Sequence, residues 1–195
     1  MTKLALTTMM AAVLAGGVCA QAPTGSEINA RRENQQDRIA NGVASGQLTA
    51  GETANLEKKE ANLNQEIRHD RLQNGGNLTN NEKRQINRQQ NRLSNRIYQD
   101  KHNAVTQHYG KNEVDARREN QQDRIAQGIR SGQLTAGETA KLESQSARIN
   151  REVRNERAAN GGNLTNKEKA QVNRQLNRES AQIYNKKHNA ARGPH

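Results

Sequence analysis

Sliding the chain against itself by 86 residues aligns Ala30–Ala104 with Ala116–Ala190 without a gap, and 51 of the 75 positions are identical. The block from Ala30 to Ala40 recurs unchanged from Ala116 to Ala126. A repeat of that fidelity is a duplication, so any fold assigned to the first copy has to serve the second with the same elements. Within each copy the apolar residues recur at helical spacing. Leu56, Leu63 and Ile67 form one stripe and Ile86, Leu93 and Ile97 another, with Leu142, Ile149, Val153 and Val172, Ile183 as counterparts. No segment shows the period of two that a half-buried strand requires. The stripes are narrow, with Glu60, Gln89 and Gln90 standing where a broader core would take Leu.

These patterns predict an all-α fold: a tandem duplication of a three-helix unit joined by helix-loop-helix turns. The expected helices are 27–42, 50–73 and 80–103, with counterparts after residue 113. Their starts are marked by Thr49 to Glu52, Thr79 to Glu82, Thr135 to Glu138 and Thr165 to Glu168. Each is a capping box, in which Thr accepts from the N3 amide and Glu reaches back to the N-cap amide. His102-Asn103 and His188-Asn189 mark the end of the third helix in each copy, as a potential cation followed by a residue that tolerates left-handed backbone. The organisation read from this is a leader at 1–20, an N-terminal segment at 21–29, repeat 1 at 30–104, a linker at 105–115, repeat 2 at 116–190 and a tail at 191–195.

Composition sets the compartment and the chemistry. Lys3, the acid-free apolar run from Leu4 to Val18, and Val18-Cys19-Ala20 have the layout of a secretory signal peptide cleaved after Ala20. Export to the periplasm or beyond is therefore expected, with no transmembrane helix once the leader is removed. Cys19 is the only cysteine and is either removed with the leader or lipidated. After residue 20 there are 24 Leu, Ile and Val in 175 residues. That is below the roughly 20 % at which a charged chain is suspected of disorder, so caps and helix propensity have to support a thin core. Phe and Trp are absent and Tyr numbers three, which argues against an aromatic ligand pocket or a base-stacking surface.

The most suggestive motif is Gly-x-Leu-Thr-x-x-Glu, starting at Gly46, Gly76, Gly132 and Gly162. It overlays the second half of an EF-hand loop, where Gly, an apolar residue and a bidentate Glu stand at positions 6, 8 and 12. Counting back, the first and third loops offer Asn41, Ser45, the Gln47 carbonyl, Thr49 and Glu52, and Gln127, Ser131, the Gln133 carbonyl, Thr135 and Glu138. Those two sets are the candidates for weak calcium binding. The second and fourth loops place Arg71 and Arg157 at the first ligand position, a positive charge where the ion should sit.

Arg38-Ile39, Ser45-Gly46-Gln47-Leu48-Thr49, Gly75-Gly76-Asn77-Leu78-Thr79, Asn91 to Tyr98 and Lys101-His102-Asn103 together resemble a family of uncharacterised exported bacterial helical repeat proteins. That family has degenerate EF-hand-like loops and an I-Y-x-x-K-H-N signature. Its members often carry Asp-Gly-x-Leu in the second loop, where this chain has Gly75-Gly76. The resemblance implies an envelope or secreted location and an EF-hand-like ancestry, and it implies no activity.

The chain lacks a Gly-x-Ser-x-Gly nucleophile turn and a phosphate loop, and most acids lie three or four residues from Lys or Arg, as on a solvated helix face. A non-enzymatic protein is expected. Tyr98/His102 and Tyr184/His188 are read as rings covering helix ends, since two histidines fall short of a zinc ligand set. A formal net charge of +11 favours anionic polymers as partners, with Arg31-Arg32 and Arg117-Arg118 as the adjacent arginine pairs. Specific nucleic-acid recognition is not expected, because acids are mixed among the bases. The leading expectation is a structural or binding component of the cell envelope, with envelope proteins or anionic polymers as partners. A weak calcium module and a periplasmic chaperone are the alternatives.

Overall fold

The computed structural model describes residues 22–193, so the leader and Cys19 lie outside the described residues. Six helices follow one another: α1 (Gly25–Ala44), α2 (Ala50–Gln73), α3 (Asn80–Lys101), α4 (Glu113–Arg130), α5 (Ala136–Ala159) and α6 (Asn166–Lys187). No strand occurs among the described residues. The bounds of α5 and α6 lie 86 residues after those of α2 and α3. Among the described residues no helix is long and apolar enough to cross a membrane.

Helix starts follow the threonines. Thr24, Thr49, Thr79, Thr135 and Thr165 are N-caps with complete capping boxes, and Asn112 caps α4 by accepting from the Asp115 amide. Two boundaries correct the sequence expectation. α1 begins at Gly25, two residues early, because Thr24 and Glu27 form a fifth capping box inside the expected N-terminal segment. α3 ends at Lys101 with His102 as C-cap at φ −118°, so Asn103 is not used for left-handed backbone. The Asn103 side chain instead donates to Glu52 Oε1 at 2.6 Å and accepts from the Val105 amide at 2.8 Å.

Glycine is required where α1 and α4 hand over to the next helix. A Cβ at Gly42 would lie 2.6 Å from Leu48 Cδ1, and one at Gly128 would lie 2.6 Å from Leu134 Cδ1. The missing side chains let Leu48 and Leu134 fold back onto the helices they follow. Gly46 and Gly132, at φ +69° and +63°, then supply the left-handed residue of each turn.

α2 packs along α5 and α1 against α4, so the broadest contacts join the two halves, while α3 and α6 each close their own half. The apolar interior has three parts. A central cluster draws Ile39, Leu56, Leu93 and Ile97 from the first half and Ile125, Ile129, Leu142 and Ile183 from the second. Outer clusters lie at either side: Ile28, Leu63, Ile67, Leu78 and Ile86 in one, Val114, Ile149, Val153, Leu164, Val172 and Leu176 in the other.

Between the central cluster and each outer one lies a buried polar layer. Along α1, Gln35 and Gln36 separate Ile28 from Ile39; along α2, Glu57 and Glu60 separate Leu56 from Leu63; along α3, Gln90 separates Ile86 from Leu93. Gln121, Gln122, Glu143, Ser146 and Glu179 do the same in the second half. The narrow apolar stripes thus reflect a core built in alternating layers.

Candidate functional site

The first and third loops are closed by chain that follows the third helix of their own half. Gln107 N donates to the Gly46 carbonyl at 2.8 Å and Gly193 N to the Gly132 carbonyl at 2.9 Å. Glu52 Oε2 accepts from the Thr49 amide and hydroxyl at 2.9 and 2.7 Å, and its Oε1 takes Asn103. Glu138 is held the same way by Thr135 and by Asn189 at 2.6 Å. Asn41 Oδ1 accepts from Arg130 at 2.7 Å, and Gln127 Oε1 from Lys187 Nζ at 2.9 Å. Ser45 and Ser131 donate to Gln47 and Gln133, each at 3.1 Å. The side-chain oxygens of Asn41, Thr49 and Glu52, and of Gln127, Thr135 and Glu138, are thus engaged with donors of the protein itself. Among the described residues, no group of three or more His, Cys, Asp or Glu is placed to hold a metal ion.

The arginine pairs are split between two tasks. Arg31 donates to Asn87 and Asn91 on α3 at 2.5 and 2.7 Å, and Arg117 to Asn173 and Asn177 on α6 at 2.9 and 2.5 Å. Arg32 and Arg118 point inward. Arg32 Nε stands 3.8 Å from Glu60, while Arg118 meets Asp115 at 2.7 Å and Asn150 at 2.8 Å, and lies 5.0 Å over the Tyr109 ring. Burial weakens the Asp115 carboxylate, but Arg157, Arg118 and Asn112 outweigh it and hold Asp115 below the usual range. Tyr98 and Tyr184 stack on His102 and His188, with centroids 4.2 and 4.1 Å apart, and each histidine Nδ1 sits 2.7 Å from its tyrosine's carbonyl.

The buried acids are what the sequence reading missed. Their spacing from basic residues suits a solvated face, yet Glu57, Glu60, Glu143 and Glu179 are at most 1 % exposed. Glu57 and Glu143 accept from Gln36 and Gln122 at 3.2 and 3.1 Å. Ser146 donates to Glu179 at 2.5 Å, whereas neither oxygen of Glu60 accepts a hydrogen bond. Burial pushes Glu60 and Glu179 up to about 7 and Glu143 up to about 8, and raises Glu57 well above the usual carboxylate range with the neighbouring Glu60 adding to it. A signal was present in that Glu60 lies on the Leu56–Leu63 stripe.

The outer side of the α2–α5 contact carries a different arrangement. A 740 Å³ groove is lined by Lys58, Ala61, Asn62, Gly137, Ala140, Lys141, Arg148 and Lys186, among others. A second groove of 530 Å³ between α2 and α3 is lined by Lys59, Gln89, Arg92, Asn95 and Arg96. The two adjoin at Asn62, which lines both, and among the described residues neither has an acid in its wall. Arg96 pairs with Asp100 at 3.0 Å and Lys186 stands 4.0 Å from Glu138, while Lys58, Lys59, Arg92, Lys141 and Arg148 have no carboxylate within 4.0 Å among the described residues. No family model matches the chain, and no curated protein or solved structure matches it either.

Proposed function

We propose that the chain is an exported, non-enzymatic helical protein of the cell envelope, built from two copies of one three-helix unit, that works by binding anionic polymers. The observation that carries the reading is where the charge goes. Among the described residues, the carboxylates nearest to Lys or Arg are largely interior ones: Glu60, Asp100 and Asp115 are all at most 3 % exposed. Six of the twenty acids are buried and five more are held in capping boxes, whereas Arg118 is the one buried cation among the described residues of a chain at +11. A surface of that kind attracts polyanions with a strong salt dependence, because each neutralised site releases a condensed counterion. The four glutamates that burial raises most, Glu57, Glu60, Glu143 and Glu179, are enclosed between helices, which supports a non-enzymatic role. The layout of residues 1–20 supports export, and the 86-residue repeat supports duplication.

The test is retention of the full chain, as the cell processes it, on a heparin matrix in a salt gradient. The reading expects elution well above physiological ionic strength. Flow-through at low salt would remove it.

A further inference from the structure

We infer that the joined grooves over α2, α3, α5 and α6 form the binding site itself, and that their occupant is an extended acidic glycan carrying carboxylate or sulfate groups. The inference rests on the polyanion reading and names its site and ligand class.

Four observations carry it. First, the lining holds cations from both halves and no acid. Carboxylates meet it where Glu66 accepts from Gln89, Asp100 pairs with Arg96 and Glu138 stands 4.0 Å from Lys186, while Lys58, Lys59, Arg92, Lys141 and Arg148 carry no ion pair among the described residues. Second, the cations alternate with neutral amides: Asn62, Asn95 and Gln99 in one groove, Gln145 and Gln182 in the other, whereas the Gln89 amide is taken up by Glu66. Side-chain amides donate and accept at once, which suits the hydroxyls of a sugar chain, while Lys and Arg take its acidic groups. Third, no aromatic ring lines either groove, so nothing is offered for base stacking, the contact on which single-stranded nucleic acid depends. Fourth, the cations belong to the assembled pair of halves. Lys58, Lys59, Lys141 and Arg148 stand 86 residues from Ser144, Gln145, Asn55 and Asn62, so at each of these positions one half has a cation and the other a neutral residue. Ala61, Gly137 and Ala140 line the groove between them with small side chains that leave its floor open.

The experiment compares the full chain with a groove variant, Lys58→Gln, Lys59→Gln, Lys141→Gln and Arg148→Gln. The control removes four exposed cations elsewhere, by Arg84→Gln, Arg88→Gln, Lys167→Gln and Arg174→Gln. Binding to polygalacturonate, to heparin and to a DNA duplex is measured by titration calorimetry at one fixed salt concentration, with helicity and melting recorded for each variant. The groove variant is expected to bind the two glycans about tenfold or more weakly, and the control to stay within about threefold of the parent. A gain variant guards against misfolding. Asn62→Arg gives the first half the side chain that Arg148 already supplies in the second, and it should tighten glycan binding about threefold. Equal losses in groove variant and control would overturn the site. Tighter binding of DNA than of either glycan, weakened by the groove substitutions, would overturn the ligand class and leave the site. A parent that ignores heparin removes the polyanion reading as well, whereas a parent that binds heparin with no dependence on these four residues removes the groove alone.

Discussion

The two halves bury the same number of perturbed acids by different means. In the first, Glu57 and Glu60 stand one turn apart on α2, and Leu93 on α3 packs into the central cluster. In the second, the counterpart of Glu60 is Ser146 and the counterpart of Leu93 is Glu179, so the second acid has moved from the middle helix to the last one. The move changes its partners. Glu179 accepts a short bond from Ser146, and Arg118 also favours its charge, whereas both Glu60 oxygens are without hydrogen bonds and Arg32 Nε is 3.8 Å away. A layered core tolerates an acid on either helix, but only the second half satisfies it.

That contrast has its largest consequence in the dependence of stability on pH. A carboxyl whose folded pKa exceeds its unfolded value of 4.5 binds more protons folded than unfolded between the two, so stability falls as pH rises through that window. The window runs from 4.5 to about 7 for Glu60 and Glu179 and to about 8 for Glu143. At about 1.4 kcal/mol for each pKa unit, Glu60 and Glu179 each contribute about 3 kcal/mol to the fall and Glu143 about 5 kcal/mol. Urea denaturation should show the greatest stability near pH 5 and a loss on the order of 10 kcal/mol by about pH 8. Glu60→Gln should recover up to about 3 kcal/mol at pH 8 and almost nothing at pH 4.5. A pH-independent midpoint from 5 to 8 would show that these acids are not buried between the helices.

The next effect tests whether the halves share one centre. Leu56 and Leu142 are 86 residues apart, both 0 % exposed, and both in the central cluster. Leu56→Ala and Leu142→Ala should each cost about 3 kcal/mol, equal within about 1 kcal/mol, in a single transition. Two transitions, with each substitution lowering a different one, would mean that the halves unfold separately.

How much of this the sequence disclosed depended on the range of the interaction. Helices α2, α3, α5 and α6 were legible because Thr-x-x-Glu is a local pattern and glycine marks the turns that precede it. The start of α1 escaped because its box, Thr24 to Glu27, precedes the repeated frame that begins at Ala30. Charge within one helix says nothing about what a second helix covers. Glu57 sits beside Lys58 in the sequence, and only the packing of α2 on α5 turns one inward and leaves the other on the groove. The arginine pairs show the same limit: Arg31 and Arg32 are adjacent, yet one spans to α3 and the other faces Glu60.

A smaller effect can turn the second half into the first. Ser146→Ala removes the donor to Glu179 and leaves a buried carboxyl in the condition of Glu60. The loss should be about 1–2 kcal/mol at pH 8, where Glu179 is charged, and smaller near pH 5. The titration of Glu179, followed by carboxyl carbon shifts in NMR, should move upward from about 7. An unmoved titration would mean that Arg118, the other group favouring the charged form, holds Glu179 without help from the serine.

The smallest effect is one in which the halves should agree. Thr49 and Thr135 each cap a helix and hold its Glu, with Oε1 of that Glu taken by Asn103 or Asn189. Thr49→Ala and Thr135→Ala should each cost about 1 kcal/mol, and Ser at either position should restore most of it, since a hydroxyl is all the cap requires. The same residues stand in the loops whose spacing follows the second half of an EF-hand, and the two roles separate on one variable. A cap is worth the same with or without metal, so the loss should be unchanged between EDTA and about 5 mM calcium. A ligand role would make it grow with calcium, and then Glu52→Gln and Glu138→Gln would abolish the dependence one loop at a time.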